Sequence, residues 1–161
     1  MRSLRRTVLA LLACVLASPL VSAQTRAAFD RIVDFSVTLK TVSAAATGGA
    51  ALPANRLFLL EGSIGEVVVL DDRPEAWKVR VELVAGEWIG TDEVRGYRCW
   101  VTFAGPEYAE IFPAEPPGEP SPGYLPPRAR VLVLAHALAP VLTPLGERVM
   151  ELGGIAVRSG P

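Results

Sequence analysis

The stretch that decides the fold is "RLFLLEGSIGEVVVLD", residues 56–71. It is too rich in β-branched and aliphatic residues for a surface helix, so it reads as extended chain. Gly62 and Gly65 stand in its middle. Glycine inside a strand marks a bulge or a sharp bend, so one long coiled strand is expected rather than two short ones.

Working outward, "DDRPEAW" at residues 71–77 supplies turn chemistry, since Asp71 and Asp72 tolerate unusual dihedrals and Pro74 interrupts a ladder. Residues 78–84 then alternate, with Val79, Val81 and Leu83 on one side and Lys78, Arg80 and Glu82 on the other. A turn begins at residues 85–87, and a second alternating run follows at residues 95–103. Its inward set is Tyr97, Cys99, Val101 and Phe103, and its outward set includes Arg98, Trp100 and Thr102. Gly105 and Pro106 open a short helix over residues 107–112. Residues 113–127 hold seven of the chain's 14 prolines and read as an extended connector. "RVLVLAHAL" at residues 130–138 is a nearly continuous apolar run, expected as a well-buried strand. Residues 148–152 and 155–157 close the chain as a strand broken at Gly153-Gly154.

Upstream of the barrel region, Phe35, Val37 and Leu39 alternate with polar residues and are read as a strand over residues 34–40. "AAATGGAALPA", residues 44–54, is unpatterned and reads as a loop or linker. Residues 1–23 carry the marks of an export signal: Arg2, Arg5 and Arg6, then ten small or apolar residues at 8–17, then Val21-Ser22-Ala23 at a cleavage position. The apolar run is too short to span a bilayer, so no transmembrane segment is expected after cleavage. Leu11-Leu12-Ala13-Cys14 offers an alternative, lipid attachment at Cys14, against which the apolar Val15, Leu16 and Ala17 argue. The expected organisation is a signal peptide at 1–23, an N-terminal segment and linker at 24–55, and a barrel domain at 56–161. The expected location is periplasmic or secreted.

The whole chain has a formal charge of −1, and the leader takes three of its 16 basic residues and none of its 17 acidic ones. A remainder that acidic argues against general nucleic-acid binding, which usually shows a basic surplus. With Cys14 removed only Cys99 remains, so no intramolecular disulfide is possible and Cys99 is expected as a small buried hydrophobe.

Five successive strands, the first long and bent at glycines, with a helix or loop excursion between the third and fourth, resemble the OB-fold, a five-stranded Greek-key barrel. The resemblance covers residues 56–158 and rests on pattern, with no signature motif. The expected fold is mainly β, a small OB-like barrel with an extra N-terminal strand or helix and a proline-rich loop. It departs from the usual OB-fold in the short helix at 107–112, so the barrel end must be closed by Phe112, Tyr108 or the segment before Arg56.

The same resemblance implies ligand binding on the second and third strands of the barrel. There Lys78, Arg80 and Arg98 surround Trp100, and these four are the candidate ligand-binding residues. The competing reading is structural: Trp100 covered by a neighbouring segment, with Arg80 or Arg98 stacked on it or paired with Glu82. Trp77 and Trp88 are weaker candidates of the same kind.

No catalytic set was found. His136 is the single histidine, set in an apolar strand. Ser63 in "LEGSIGE" lacks the strand-turn-helix context of a nucleophile elbow. No Cys or His spacing suits zinc, and the acidic turn Asp71, Asp72 and Glu75 lacks calcium-loop spacing. No cofactor or metal is expected. The functional expectation is an exported, non-catalytic binding or interaction module of the bacterial cell envelope, with an envelope protein or an oligosaccharide as partner class. The alternative is a structural or accessory subunit of an envelope complex.

Overall fold

The computed structural model describes residues 31–49, 51–119 and 121–160. Residues 1–23, expected as an export signal, lie with Cys14 outside the described residues. The chain divides into two units, residues 1–33 and 34–161. Of the first unit only residues 31–33 are described.

The elements are β1 (Val33–Asp34), α1 (Leu39–Ala46), β2 (Leu57–Asp71), β3 (Lys78–Ile89), β4 (Glu93–Ala104), α2 (Tyr108–Ile111), β5 (Arg130–Leu142) and β6 (Arg148–Ser159). The expected single long strand is present. From Leu57 to Ser63, β2 pairs antiparallel with β5, and from Ser63 to Asp71 it pairs antiparallel with β3. Gly62 lies where the strand crosses the core, and a Cβ there would meet Leu83 Cγ at 2.8 Å and Leu39 Cδ1 at 2.9 Å. Any side chain would push the strand off its own barrel.

The ring continues β3 to β4 antiparallel, β4 to β6 parallel and β6 to β5 antiparallel, returning to β2. The parallel closure is short: Trp100, Val101 and Thr102 beside Glu151, Leu152 and Gly153. This is a small five-stranded Greek-key barrel of OB type. Its interior is filled from every wall by residues at alternate positions, among them Phe58, Leu60, Val79, Leu83, Val101, Phe103, Val133 and Leu152.

Different devices plug the two ends. Beyond the Phe103 end, Tyr108 and Phe112 pack on the Phe103 ring at centroid distances of 4.9 and 5.6 Å. The Tyr108 hydroxyl donates to the Ile155 carbonyl oxygen at 2.7 Å. One helical turn therefore does the work of the missing full helix. At the other end α1 buries Leu39, Val42 and Ala46.

α1 corrects the expected strand at residues 34–40 and the expected loop from residue 44. The Asp34 carboxylate accepts from the Ser36 N–H at 3.0 Å and the Ser36 hydroxyl at 2.6 Å, turning the chain out of extension. The Thr38 hydroxyl then accepts from the Thr41 N–H at 3.3 Å and caps the helix. Leu39, Val42 and Ala46 follow the helical period, and the shorter alternation through Phe35, Val37 and Leu39 masked it.

The last two strands need correction too. β5 is not buried on both sides: Val131, Val133 and Ala135 point in, whereas Leu132, Leu134 and His136 are half-buried outside. β5 also runs through Pro140 to Leu142, because a register shift between Ala137 and Pro140 absorbs the missing N–H. β6 is continuous across Gly153-Gly154. A Cβ on Gly153 would strike the His136 ring and one on Gly154 the Phe103 ring. The two glycines allow close packing on both faces of the strand rather than breaking it.

Candidate recognition face

The outer face of β3 and β4 is fixed by cross-strand pairs that put Lys78 opposite Ala104, Arg80 opposite Thr102, Glu82 opposite Trp100 and Val84 opposite Arg98. The residues between them (Val79, Val81 and Leu83 in β3; Cys99, Val101 and Phe103 in β4) are all buried. Strand alternation therefore brings Arg80, Arg98 and Trp100 together on one surface. Lys78 stands at its lower margin, exposed, opposite Ala104 and Asp71.

The guanidinium groups there are tied to carboxylates. Arg80 Nη2 donates to Glu151 Oε1 at 3.0 Å, and the Thr102 hydroxyl donates to the same oxygen at 2.7 Å. Arg98 Nη1 donates to Glu82 Oε1 at 3.4 Å, and its Nη2 pairs with Glu147. The Arg80 guanidinium carbon lies 6.0 Å from the centre of the Trp100 ring. Trp100 itself is half-buried. Gly65 in β2 gives Glu82 its place, since a Cβ there would come within 2.5 Å of Glu82 Oε2.

The chemistry of this face is that of a fixed polar lattice around one flat apolar ring. Arg80 and Arg98 are each paired with carboxylates, and the indole carries the Arg80 guanidinium on one side. Sequence reasoning missed Glu147 and Glu151. Glu151 lies in β6 and Glu147 just before it; β6 joins β4 only through the three-residue parallel closure, and only the outward place of Glu151 in "VMELGG" signalled it.

At the β3–β2 turn, the Arg73 side chain holds the Asp71 carboxyl down at about 2, helped by the Arg73 N–H. That ties up one acid of the turn considered for calcium. At the α1 end, Glu87 accepts from the Tyr97 hydroxyl at 2.6 Å and from Lys40 Nζ at 2.9 Å. The Tyr97 hydrogen bond, then that from Lys40, lowers the Glu87 pKa, while Glu87 raises those of Lys40 and Tyr97. This trio edges a cavity of about 400 Å³ whose apolar wall includes Phe35, Leu59 and Ala85.

The remaining singled-out residues have plain positions. Cys99 is buried, and desolvation pushes its thiol up to about 12. His136 is half-buried outside the barrel with its ring on Gly153. Ser63 sits within β2 at the handover between its two partners. Trp77 is buried and Trp88 stands exposed. Among the described residues no group of three or more His, Cys, Asp or Glu side chains is placed to hold a metal ion.

No family model and no curated protein matches the sequence. Among solved structures, the Plasmodium falciparum SSB in complex with ssDNA is similar over 70% of this chain and 100% of that one, at 15% identity and a TM-score of 0.39. The expectation drawn from net charge against general nucleic-acid binding does not stand. Net charge sums the whole surface, whereas a strand of nucleic acid meets only one face.

Proposed function

We propose that this chain is a non-catalytic binding module that takes its ligand on the outer face of β3 and β4, with Trp100 as the stacking surface and Arg80, Arg98 and Lys78 around it. The observation that supports this most is the half-buried indole inside an already ordered lattice of Arg80, Glu151, Thr102, Arg98 and Glu82. Side chains fixed before binding lose little further freedom on binding, which leaves more of the contact energy as affinity. A ring laid on Trp100 gains about 1–3 kcal/mol, the range seen for bases on aromatic platforms. The buried, neutral Cys99 thiol and the packed His136 support a role without chemistry.

The leader pattern in residues 1–23 supports export, and with it a place in the bacterial cell envelope. A second reading, an accessory subunit of an envelope complex, draws support from the exposed Leu138, Leu142 and Leu145 on the β5–β6 hairpin. The test is a panel of labelled single-stranded oligonucleotides, oligosaccharides and peptides titrated against wild type and Trp100→Ala. The expected result is one binding class whose affinity falls about tenfold in the variant, as the loss of one stacking contact implies. Equal binding by both proteins would overturn the assignment of the face.

A further inference from the structure

We propose that the free edge of β4 joins two copies of this chain, through antiparallel pairing centred on Val94. The β3–β4 ladder runs without a register shift from Lys78 opposite Ala104 to Ile89 opposite Glu93. On its other side β4 meets β6 only at Trp100, Val101 and Thr102. Among the described residues no strand therefore pairs with residues 93–99 on that side, where Gly96, Tyr97 and Arg98 share a groove with Ser43, Thr47 and Glu147, and residues 93–96 are all exposed.

Sheet edges left open in this way are usually blunted by charge, proline, a bulge or a covering helix or loop. Residues 93–99, "EVRGYRC", contain no proline and no bulge, and their charges are of both signs. The pattern they carry is self-complementary. On the outer face Val94 is 52% exposed and pairs across the ribbon with Trp88, which is 69% exposed. One step towards the barrel, Gly86 faces Gly96, and a Cβ on Gly96 would meet nothing within 4 Å. The outer face of the ribbon is thus open at Gly96, beside an apolar pair. On the opposite face Glu93 and Arg95 sit two residues apart, with Arg95 Nη2 3.7 Å from Glu93 Oε1.

A two-fold axis through Val94 sets Glu93 of one copy against Arg95 of the other, twice, and brings the two Val94 residues together with a Trp88 beside each. Opposite charges directly across strands are favourable and like charges unfavourable. A two-fold pairing of identical edges also closes on itself and gives a dimer rather than a fibre. The charge pattern therefore selects a second copy as occupant.

The test measures molecular mass in solution, from micromolar to near-millimolar protein, for wild type and three variants whose low-concentration melting confirms folding. Wild type is expected to pass from monomer to dimer as concentration rises. Glu93→Arg places like charges across the axis and is expected to weaken the dimer about tenfold, and Arg95→Glu is added to it to restore the wild-type midpoint. In Val94→Cys the two introduced thiols face one another at the roughly 4.5–5.5 Å Cα spacing of opposed strand residues, so mild oxidation is expected to yield a covalent dimer. Cys99, buried, does not compete. A monomer at every concentration, a dimer indifferent to Glu93→Arg, or no cross-link at residue 94 would each overturn the proposal. A chain that stays monomeric while capturing a foreign extended peptide along residues 93–99 would also overturn it.

Discussion

The β3–β4 hairpin is built from alternating sequence and β5 of the β5–β6 hairpin from a nearly continuous apolar run, and only the first hairpin keeps its parity from end to end. Twelve residues of β3 and twelve of β4 pair without a shift, so each side chain falls where alternation puts it. β5 and β6 shift register twice, between Leu134 and Ala135 and between Ala137 and Pro140. One outcome is an outer face that is polar around the Trp100 indole, with Trp88 and Val94 exposed towards the hairpin tip. The other is a face where Leu138, Leu142 and Ile155 are left in solvent. The difference shows that a register shift decides which way a strand's apolar residues point, and in a continuous apolar run no alternation marks where the shift falls.

The comparison breaks most visibly in the core. Leu83→Ala, on the unshifted hairpin, is expected to cost about 2–5 kcal/mol, measured by denaturant unfolding. Leu142→Ala, on the shifted one, is expected to change stability by less than about 0.5 kcal/mol. Equal losses would mean that the two hairpins do not differ in this way. Next in size is the glycine contrast. Gly154→Ala forces a methyl group into the Phe103 ring and is expected to cost about 1–3 kcal/mol. Gly96→Ala, on the open ribbon, is expected to leave the melting temperature at or above wild type.

A smaller effect separates the outer faces. Glu151→Ala removes the carboxylate shared by Arg80 and Thr102 and is expected to cost about 1 kcal/mol while weakening ligand binding on β3–β4. The smallest effect concerns pH at the α1 end. The Glu87 pKa is lowered, so its stabilising contribution is present above the ordinary glutamate value of 4.5 and is lost as pH falls through the lower folded value. Lys40 and Tyr97 are raised, so theirs is present below their ordinary values and is lost as pH rises through the folded ones. Glu87→Gln is expected to flatten the melting profile on both the acid and the alkaline side. An unchanged profile would show that the trio contributes nothing.

Much of the fold was legible because its deciding features are local. Gly62 and Gly65 within one aliphatic run announced a single bent strand, and the parity of residues 78–84 and 95–103 placed Arg80, Arg98 and Trp100 together. What stayed hidden depends on the rest of the chain. Helix α1 was masked because Val37 and Leu39 fit two periods at once, and the capping by Asp34 and Thr38 decided between them. The acids of the recognition face were hidden for another reason. Glu151 and Glu147 reach Arg80 and Arg98 only after the parallel closure of the ring, which no neighbouring residues encode.

The orientation of β4 is the centre of the whole account, and two aromatic residues three positions apart test it. Phe103 is fully buried in the barrel, and Trp100 lies half-buried on the outer face. Equilibrium unfolding of Phe103→Ala and Trp100→Ala, run side by side, is the direct measurement. The barrel predicts a loss of about 3–5 kcal/mol for Phe103→Ala and less than half of that for Trp100→Ala, although Trp100 is the larger side chain. Equal losses, or a greater loss at Trp100, would place the indole in the core and contradict the recognition face.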